Sequence, residues 1–427
     1  MAWTRKRVFV VAVTVVLTAL ATLVALNLMP SEKQVRQPLE QRYPVGSAQF
    51  MRTMSVLLGP PIVDGNAVHE LLNGDRIFPA MLEAIHAAKR TITFETYIYW
   101  SGEVGRAFAD ALAERSRAGV RVHVLLDWVG SQKIEEALLD TMRSAGVEIE
   151  YFRPLHWYHL ARLNNRTHRK LLVVDGRVGF TGGVGIADKW QGHAQDADHW
   201  RDSHFRAEGP VVAQMQATFL DNWTKVSGVV LHGEDYFPPI APAGDARAQM
   251  FSSSPEAGAD SMQLMYLLSI TAASRSIDLA TPYFVPDELS MVALERALAR
   301  GVRVRILVPG PIIDTELVRR ASRATWGRVL EAGGEIHEYL PTMFHVKGMI
   351  VDRLLVSVGS TNFDPRSFRL NDEANLNIYD AAFAARQTEV FEADLAQSRR
   401  VTLEEWRARP WQEKLLERAA LLLGSQL

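Results

Sequence analysis

Two histidines occur in the same motif, H-x-K-x-x-x-x-D, once in each half of the sequence. The six motif residues are His168, Lys170 and Asp175 in the first copy, and His345, Lys347 and Asp352 in the second. Residues i and i+2 of a strand face the same side, so each histidine is expected to project together with its lysine. Each copy therefore predicts a cationic pair that can bind an anion.

The spacing around the two motifs is also repeated. Gly182 follows His168 by 14 residues, and Gly359 follows His345 by 14 residues. A lone His-x-Lys pair is usually a solvated surface pair, but matched copies predict duplicated units packed about a pseudo-twofold axis. The two pairs would then converge on one anion, and a tetrahedral phosphate is the ligand of choice.

Two histidines fit the chemistry of a phosphodiester. One neutral imidazole can attack phosphorus to form a phosphohistidine, while a second, protonated imidazole gives its proton to the leaving oxygen. Lys170 and Lys347 would stabilise charge on the non-bridging oxygens, so this scheme needs no metal ion. Asp175 and Asp352 end apolar strands before a turn, where a structural role is as plausible as a catalytic one.

The elements that position the motifs repeat as well. Segments 88–100, AKRTITFETYIYW, and 273–285, ASRSIDLATPYFV, both predict strands. Each is followed by a helical pattern that stops at a glycine, Gly119 or Gly301, and then by a valine-rich strand. We therefore predict an α/β fold with two domains of similar topology, 43–240 and 241–427, joined near a Pro- and Gly-rich linker.

The amino-terminal segment 1–42 predicts a membrane anchor and a linker. Residues 8–29 carry no charge, and about 20 apolar residues are enough to span a bilayer as a helix. Arg5, Lys6 and Arg7 precede this span, which places the amino terminus in the cytoplasm and the body of the protein outside. A cleaved signal peptide is the alternative, but the apolar region is longer than a typical one.

Composition limits the classes of function. The chain has 427 residues, a formal net charge of −2 and no cysteine. The balanced charge argues against a protein that binds a polyanion along its length. The lack of cysteine excludes disulfides, zinc thiolate sites and thiol catalysis.

The paired motifs resemble those of the phospholipase D superfamily, and the wider sequence is similar to its bacterial cardiolipin synthases. The resemblance runs from about Phe94 to the carboxyl terminus, through NRTHRKLLVVDG, HVKGMIVD and GSTNFDPRSFRLNDEANLNIYD. It implies tandem phospholipase D-like α/β/α domains related by a pseudo-twofold, with His168 and His345 as nucleophile and acid/base. Which histidine attacks is left open by the duplication.

The resemblance also implies roles for residues outside the motifs. In the family, an acidic residue downstream in each half hydrogen-bonds the catalytic histidine of that half, and Asp202 and Glu373 occupy these positions. The family's G-S-x-N turn, which lines the site, is present as Gly359, Ser360 and Asn362. In the first half the corresponding residues are glycines, including Gly183, so lopsided hydrogen bonding around the phosphate is expected.

The expected activity is transfer of a phosphatidyl group to phosphatidylglycerol at a membrane, which forms cardiolipin without a cofactor or metal. The partners would be phospholipids and the bilayer, with no nucleic acid, and the location would be the inner membrane with the catalytic body on the periplasmic or external side. A phospholipase D-type hydrolase, a nuclease and a non-catalytic membrane scaffold are the alternatives. The closing segment 403–427 is amphipathic, and membrane contact and plain packing are equally compatible with its pattern.

Overall fold

The computed structural model describes residues 2–28, 35–40, 42–155, 164–255, 261–422 and 424. The strands are Val63–Leu72 (β1), Thr91–Thr96 (β2), Arg121–Asp127 (β3), Glu148–Phe152 (β4), Leu171–Val174 (β5), Val178–Gly182 (β6), Ser203–Glu208 (β7), Ala246–Ser253 (β8), Ser276–Ala280 (β9), Arg303–Pro309 (β10), Glu335–Tyr339 (β11), Gly348–Val351 (β12), Leu355–Gly359 (β13), Glu373–Tyr379 (β14) and Ser398–Val401 (β15).

The helices are Ala2–Leu28 (α1), Ala48–Leu58 (α2), Gly74–Ala87 (α3), Glu103–Arg117 (α4), Glu136–Ser144 (α5), Val211–Ser227 (α6), Ser261–Ala272 (α7), Glu288–Ala299 (α8), Glu316–Glu331 (α9), Pro365–Arg369 (α10), Ala381–Ala396 (α11), Leu403–Ala408 (α12) and Trp411–Leu421 (α13). A short 3₁₀ helix, Asp188–Trp190, lies between β6 and β7.

The strands form one 15-stranded sheet across the described part of the chain. From the centre outward, the first half runs β1-β7-β6-β5-β2-β3-β4, and the second runs β8-β14-β13-β12-β9-β10-β11, with β15 added at its edge. β1 and β8 pair antiparallel where the halves meet. The same strand order on both sides of an antiparallel junction is the arrangement that a pseudo-twofold axis produces. The predicted α/β fold with two similar halves is confirmed.

Local sequence explains the repeated strand-helix-strand units. All six residues of β2 are buried, as expected for a β-branched and aromatic strand that pairs parallel to β3 and antiparallel to β5. After α4 and α8, Gly119 and Gly301 have φ values of +90° and +84°. These left-handed conformations suit glycine, so the predicted helix stops are confirmed.

The amino-terminal helix α1 covers residues 8–28 of the predicted membrane span. Residues Arg5–Leu23 form a stretch long and apolar enough to cross a bilayer, and 0% of it is buried in the protein. The predicted span of 8–29 extends past the end of α1, and residues 29–34 and 41 lie outside the described residues. The domain boundaries near residues 42 and 240 stay predictions.

Candidate active site

Both histidines lie on the wall of one cavity. Each His-x-Lys segment is the stretch that leads into a strand, β5 in the first half and β12 in the second. His168 and His345 line the cavity, which has a volume of about 450 Å³, and Lys170 lines it with them. The structure therefore brings the two motifs together as the matched spacing predicts.

A backbone exchange between the halves fixes the position of each histidine. The N–H of His168 donates to the carbonyl of Asp372 at 2.8 Å, and the N–H of His345 donates to the carbonyl of Arg201 at 2.8 Å. The same segments also bond in the opposite direction. The Asp372 N–H donates to the Arg166 carbonyl, and the Arg201 N–H donates to the Met343 carbonyl. Each histidine is thus held by the other half, so the cavity exists only when the halves pack together.

The carboxylates cross between the halves in the same way. Nδ1 of His168 lies 3.0 Å from both oxygens of Glu373, and Nδ1 of His345 lies 2.7 Å from Oδ2 of Asp202. The prediction that each carboxylate serves the histidine of its own half is wrong. An ionised carboxylate only accepts, so Nδ1 is the donor and Nε2 keeps its lone pair. In His345 this Nε2 lies 3.1 Å from Nζ of Lys347.

The two carboxylates are themselves held by different donors. The Ser360 hydroxyl donates to Glu373, so this serine positions the carboxylate instead of lining the cavity. In the first half, Nε1 of Trp190 donates to Asp202 at 3.0 Å. A Cβ on Gly183 would lie 2.2 Å from Oδ1 of Asp202, so only glycine fits there. The hydrogen bonding around the carboxylates is therefore lopsided, with an indole replacing the hydroxyl.

Asn362 is the turn residue that does reach the cavity. Its side chain is 5% exposed and lines the wall beside the histidines. Among the described residues, its Oδ1 has no hydrogen-bond partner. A buried polar atom without a partner on a cavity wall is suited to bind a ligand or an ordered water.

Asp175 and Asp352 lie away from the cavity. The side chain of Asp175 accepts from the backbone N–H groups of Lys89, Arg90 and Thr91 at 2.7–3.2 Å, and Asp352 accepts from those of residues 274–276 at 2.7–3.2 Å. Seven residues of extended chain, at about 3.3 Å each, place them on the order of 20 Å from their histidines. Of the two roles that the sequence allows, these contacts support the structural one: the aspartates tie β5 and β12 to the starts of β2 and β9.

Burial dominates the electrostatics of the site. It lowers the pKa of His168 to about 4, so this imidazole is neutral at physiological pH. Burial, together with the neighbouring Lys347, lowers the pKa of Lys170 to about 7, and burial lowers the pKa of Lys347 to about 8. An anion between the two lysines would favour their charged forms, so we expect ligand binding to be accompanied by proton uptake.

The carboxylates stay ionised in this buried setting. Burial acts to raise the pKa of Asp202, but His345 and Lys347 outweigh it and lower the pKa on balance. The pKa of Glu373 is likewise lowered, because His168 and Lys170 outweigh burial. Both groups can therefore orient an imidazole and stabilise its protonated form.

Aromatic side chains around the histidines were missed in the sequence. Tyr97 packs edge-on against His168, with ring centroids 5.2 Å apart. Trp190 and Trp200 each lie 5.4 Å from His345 between ring centroids. Tyr97 falls in the repeated FETYIYW segment, whose aromatic residues predict only a strand. All three rings line the cavity beside the imidazoles.

The described residues contain no group of three or more His, Asp or Glu side chains arranged to hold a metal ion. That the reaction needs no metal ion stays a prediction, which the rate of the reaction in the presence of a chelator would test.

Comparisons with known proteins fit this geometry. The family described as "Cardiolipin synthase, PLD-like domain" matches residues 81–223 and 266–395, one segment in each half. The cardiolipin synthase of Geobacillus kaustophilus is 36% identical over 360 residues, which cover 84% of this chain and 72% of that protein. The major cardiolipin synthase ClsA of Bacillus subtilis is 34% identical over 364 residues, which cover 84% and 75% of the two chains.

Among solved structures, phosphatidylserine synthase of Haemophilus influenzae superposes with a TM-score of 0.70 at 15% identity. The match covers 89% of this chain and 100% of that chain. At this identity the likeness shows a shared fold.

Proposed function

The chain belongs to the phospholipase D-like family of cardiolipin synthases, and we propose that it joins two phospholipids into cardiolipin by phosphatidyl transfer. The observation that carries the proposal is the cavity lined by one histidine from each half, each with a carboxylate from the other half on Nδ1. Two such imidazoles supply a nucleophile and a proton carrier for one phosphorus atom.

We propose phosphatidylglycerol as the phosphatidyl donor. The Nε2 lone pair of one imidazole attacks phosphorus, a P–N bond forms, and the P–O bond to the glycerol headgroup breaks. The other imidazole, protonated on Nε2, gives that proton to the leaving glycerol oxygen. The products of this half-reaction are free glycerol and a phosphatidyl-histidine.

The second half-reaction reverses these roles. The now neutral imidazole takes the proton from a headgroup hydroxyl of a second phosphatidylglycerol, whose oxygen attacks phosphorus. The P–N bond breaks, cardiolipin leaves, and both imidazoles return to their starting states. Lys170 and Lys347 offset the charge on the non-bridging oxygens, and Asn362 contributes a polar contact on the cavity wall.

We propose that α1 anchors the protein in the cell inner membrane. Three basic residues precede the apolar stretch, which favours a cytoplasmic amino terminus and a catalytic body on the periplasmic or external side. An enzyme held beside the bilayer meets its lipid substrates at high local concentration. Nucleic acid is not expected as a partner.

Product analysis tests this proposal. Purified full-length protein is incubated with phosphatidylglycerol labelled in its headgroup glycerol, with and without EDTA. We expect cardiolipin and free labelled glycerol in equal amounts, at a rate that EDTA leaves unchanged. Phosphatidic acid as the sole lipid product would instead assign a hydrolase, and loss of the rate in EDTA would contradict the metal-independent scheme.

A further inference from the structure

The carboxyl-terminal helix α13 turns a polar side toward the protein. Its buried residues are Glu417 and Ala420. Glu417 is 2% exposed, and its carboxylate lies 2.9 Å from Arg409 and 3.4 Å from Arg323 of α9. The ion pairs of Glu417 and the small Ala420, and not a broad apolar stripe, therefore attach this helix to the body of the protein.

The apolar side chains of α13 point the other way. Trp411 is 69% exposed, Leu415 60%, Leu416 50% and Leu422, at the end of the helix, 85%. At about 100° per residue, Trp411, Leu415 and Leu422 fall within about 40° of one another around the helix. A helix on the surface of a soluble protein buries its apolar face, so this orientation is inverted.

The edge of this apolar face is basic. Lys414 and Arg418 lie next to Trp411 around the helix, on the side away from Leu416. Long basic side chains can keep their charge in the headgroup region while the neighbouring apolar residues enter the lipid. Tryptophan is also typical of the membrane interface. These residue types are complementary to a bilayer surface that contains anionic phospholipid.

The helix lies beside the wall of the cavity. Ala420 packs in an apolar cluster with Val285, Val318 and Ala321, and Tyr283, which lines the cavity, packs against that cluster. Asp314 and Thr315 also line the cavity, and α9 begins at the next residue. The buried side of α13 therefore packs next to one wall of the cavity.

We propose that α13 is a docking surface for the bilayer, with Trp411, Leu415 and Leu422 inserted among anionic lipids next to the active-site cavity. The apolar face needs a covering partner, and the proposed function already places α1 in a membrane. Docking α13 on the same bilayer would bring the cavity to the level of the lipid headgroups. A second copy of the chain is the rival occupant of this face.

Site-specific fluorescence can test the proposal without turnover, so its outcome is independent of the proposed function. The chain has no cysteine, so L415C carries a single environment-sensitive fluorophore in the full-length protein. The protein is reconstituted in vesicles of phosphatidylethanolamine and phosphatidylglycerol, with or without a lipid that carries a quencher just below the headgroups. The control is D110C, at an exposed position of α4 in the first half.

We expect the label at position 415 to shift to the blue and to be quenched by the lipid-borne quencher at least about fivefold more than the label at position 110. Equal quenching at both positions would overturn the proposal, because the fluorophore itself would then enter the bilayer. A blue shift that grows with the protein-to-lipid ratio, without quenching by the lipid-borne quencher, would also overturn the proposal. It would indicate self-association of the protein.

A functional variant gives a second readout. Because Trp411 and Leu415 are exposed, W411S/L415S should fold normally, which thermal unfolding verifies. We expect this variant to lose about tenfold or more in rate on phosphatidylglycerol in vesicles, and to keep its rate on short-chain phosphatidylglycerol dispersed as monomers. An equal loss on both substrates would argue for a purely structural role and against docking.

Discussion

Replacing His168 or His345 with alanine is expected to lower the rate of cardiolipin formation by at least about 10³-fold. Either variant leaves one imidazole, which can attack phosphorus or carry a proton but cannot do both at once. The double variant should be at most a few-fold slower than the slower of the two single variants, because the two groups act as a unit. Initial rates on labelled phosphatidylglycerol measure the effect.

His337→Ala is the matched control for the histidine variants. His337 lies on β11, where its Nε2 contacts Glu335 at 3.1 Å, and it does not line the cavity. Its replacement should leave the rate within about threefold, as is usual for a substitution away from the site. If H168A or H345A kept more than a tenth of the rate while remaining folded, the two-histidine mechanism would be wrong.

A phosphodiester with a good aryl leaving group separates the two roles. Such a leaving group needs no proton, so the variant that lacks the acid should recover formation of the covalent adduct. The variant that lacks the nucleophile should form none. Mass spectrometry of the acid-sensitive adduct then identifies the attacking histidine, which the symmetry of the two halves leaves open.

Neutralising either of the crossed carboxylates is expected to cause the second large loss of rate. Asp202→Asn and Glu373→Gln keep the size of each side chain but remove the charge that orients an imidazole and stabilises its protonated form. We expect each to lower the rate by about 10²-fold to 10⁴-fold. Because the bonds cross, D202N should change the titration of His345, and E373Q should change that of His168.

Nuclear magnetic resonance of ¹⁵N-labelled imidazoles can measure this cross-assignment. Each variant should shift the pKa of the partner imidazole downward, since it removes the negative charge on Nδ1. A D202N variant that altered only His168 would refute the crossed geometry. Each variant serves as the control for the other, because the two carboxylates contact different imidazoles.

The same carboxylates contribute to stability with a defined pH dependence. Their pKa values in the folded protein lie below the ordinary values of 3.8 for Asp202 and 4.5 for Glu373. A carboxyl group with a depressed pKa stabilises the fold above its unfolded-state pKa, and this contribution is lost as the pH falls through the folded-state pKa. The loss of stability should therefore be confined to the acidic range and be smaller in D202N and E373Q. Thermal unfolding across the acidic pH range measures this difference.

Sequence repetition predicted the fold and the two His-Lys pairs because both depend on local patterns. The strand-helix-strand units follow from periodicity, and Gly119 and Gly301 mark helix ends through their backbone conformation. The convergence of His168 and His345 followed from matched spacing. These features need no knowledge of how side chains pack between the halves.

The pairing of the carboxylates could not be predicted in the same way. His168 and Glu373 are 205 residues apart, and a symmetric duplication permits pairing within a half as well as between halves. Only the backbone exchange at Arg201 and Asp372 selects the crossed arrangement. The role of the motif aspartates stayed open for a related reason, since their regular spacing fits a repeated turn as well as a repeated catalytic group.

The central claim is that the two halves close around one phosphorus atom. A crystal structure of the protein with bound phosphate or vanadate tests it most directly. The account predicts a single anion within about 3 Å of Nε2 of both His168 and His345, with Lys170 and Lys347 beside it. Two separate anions, each in contact with only one imidazole, would contradict it.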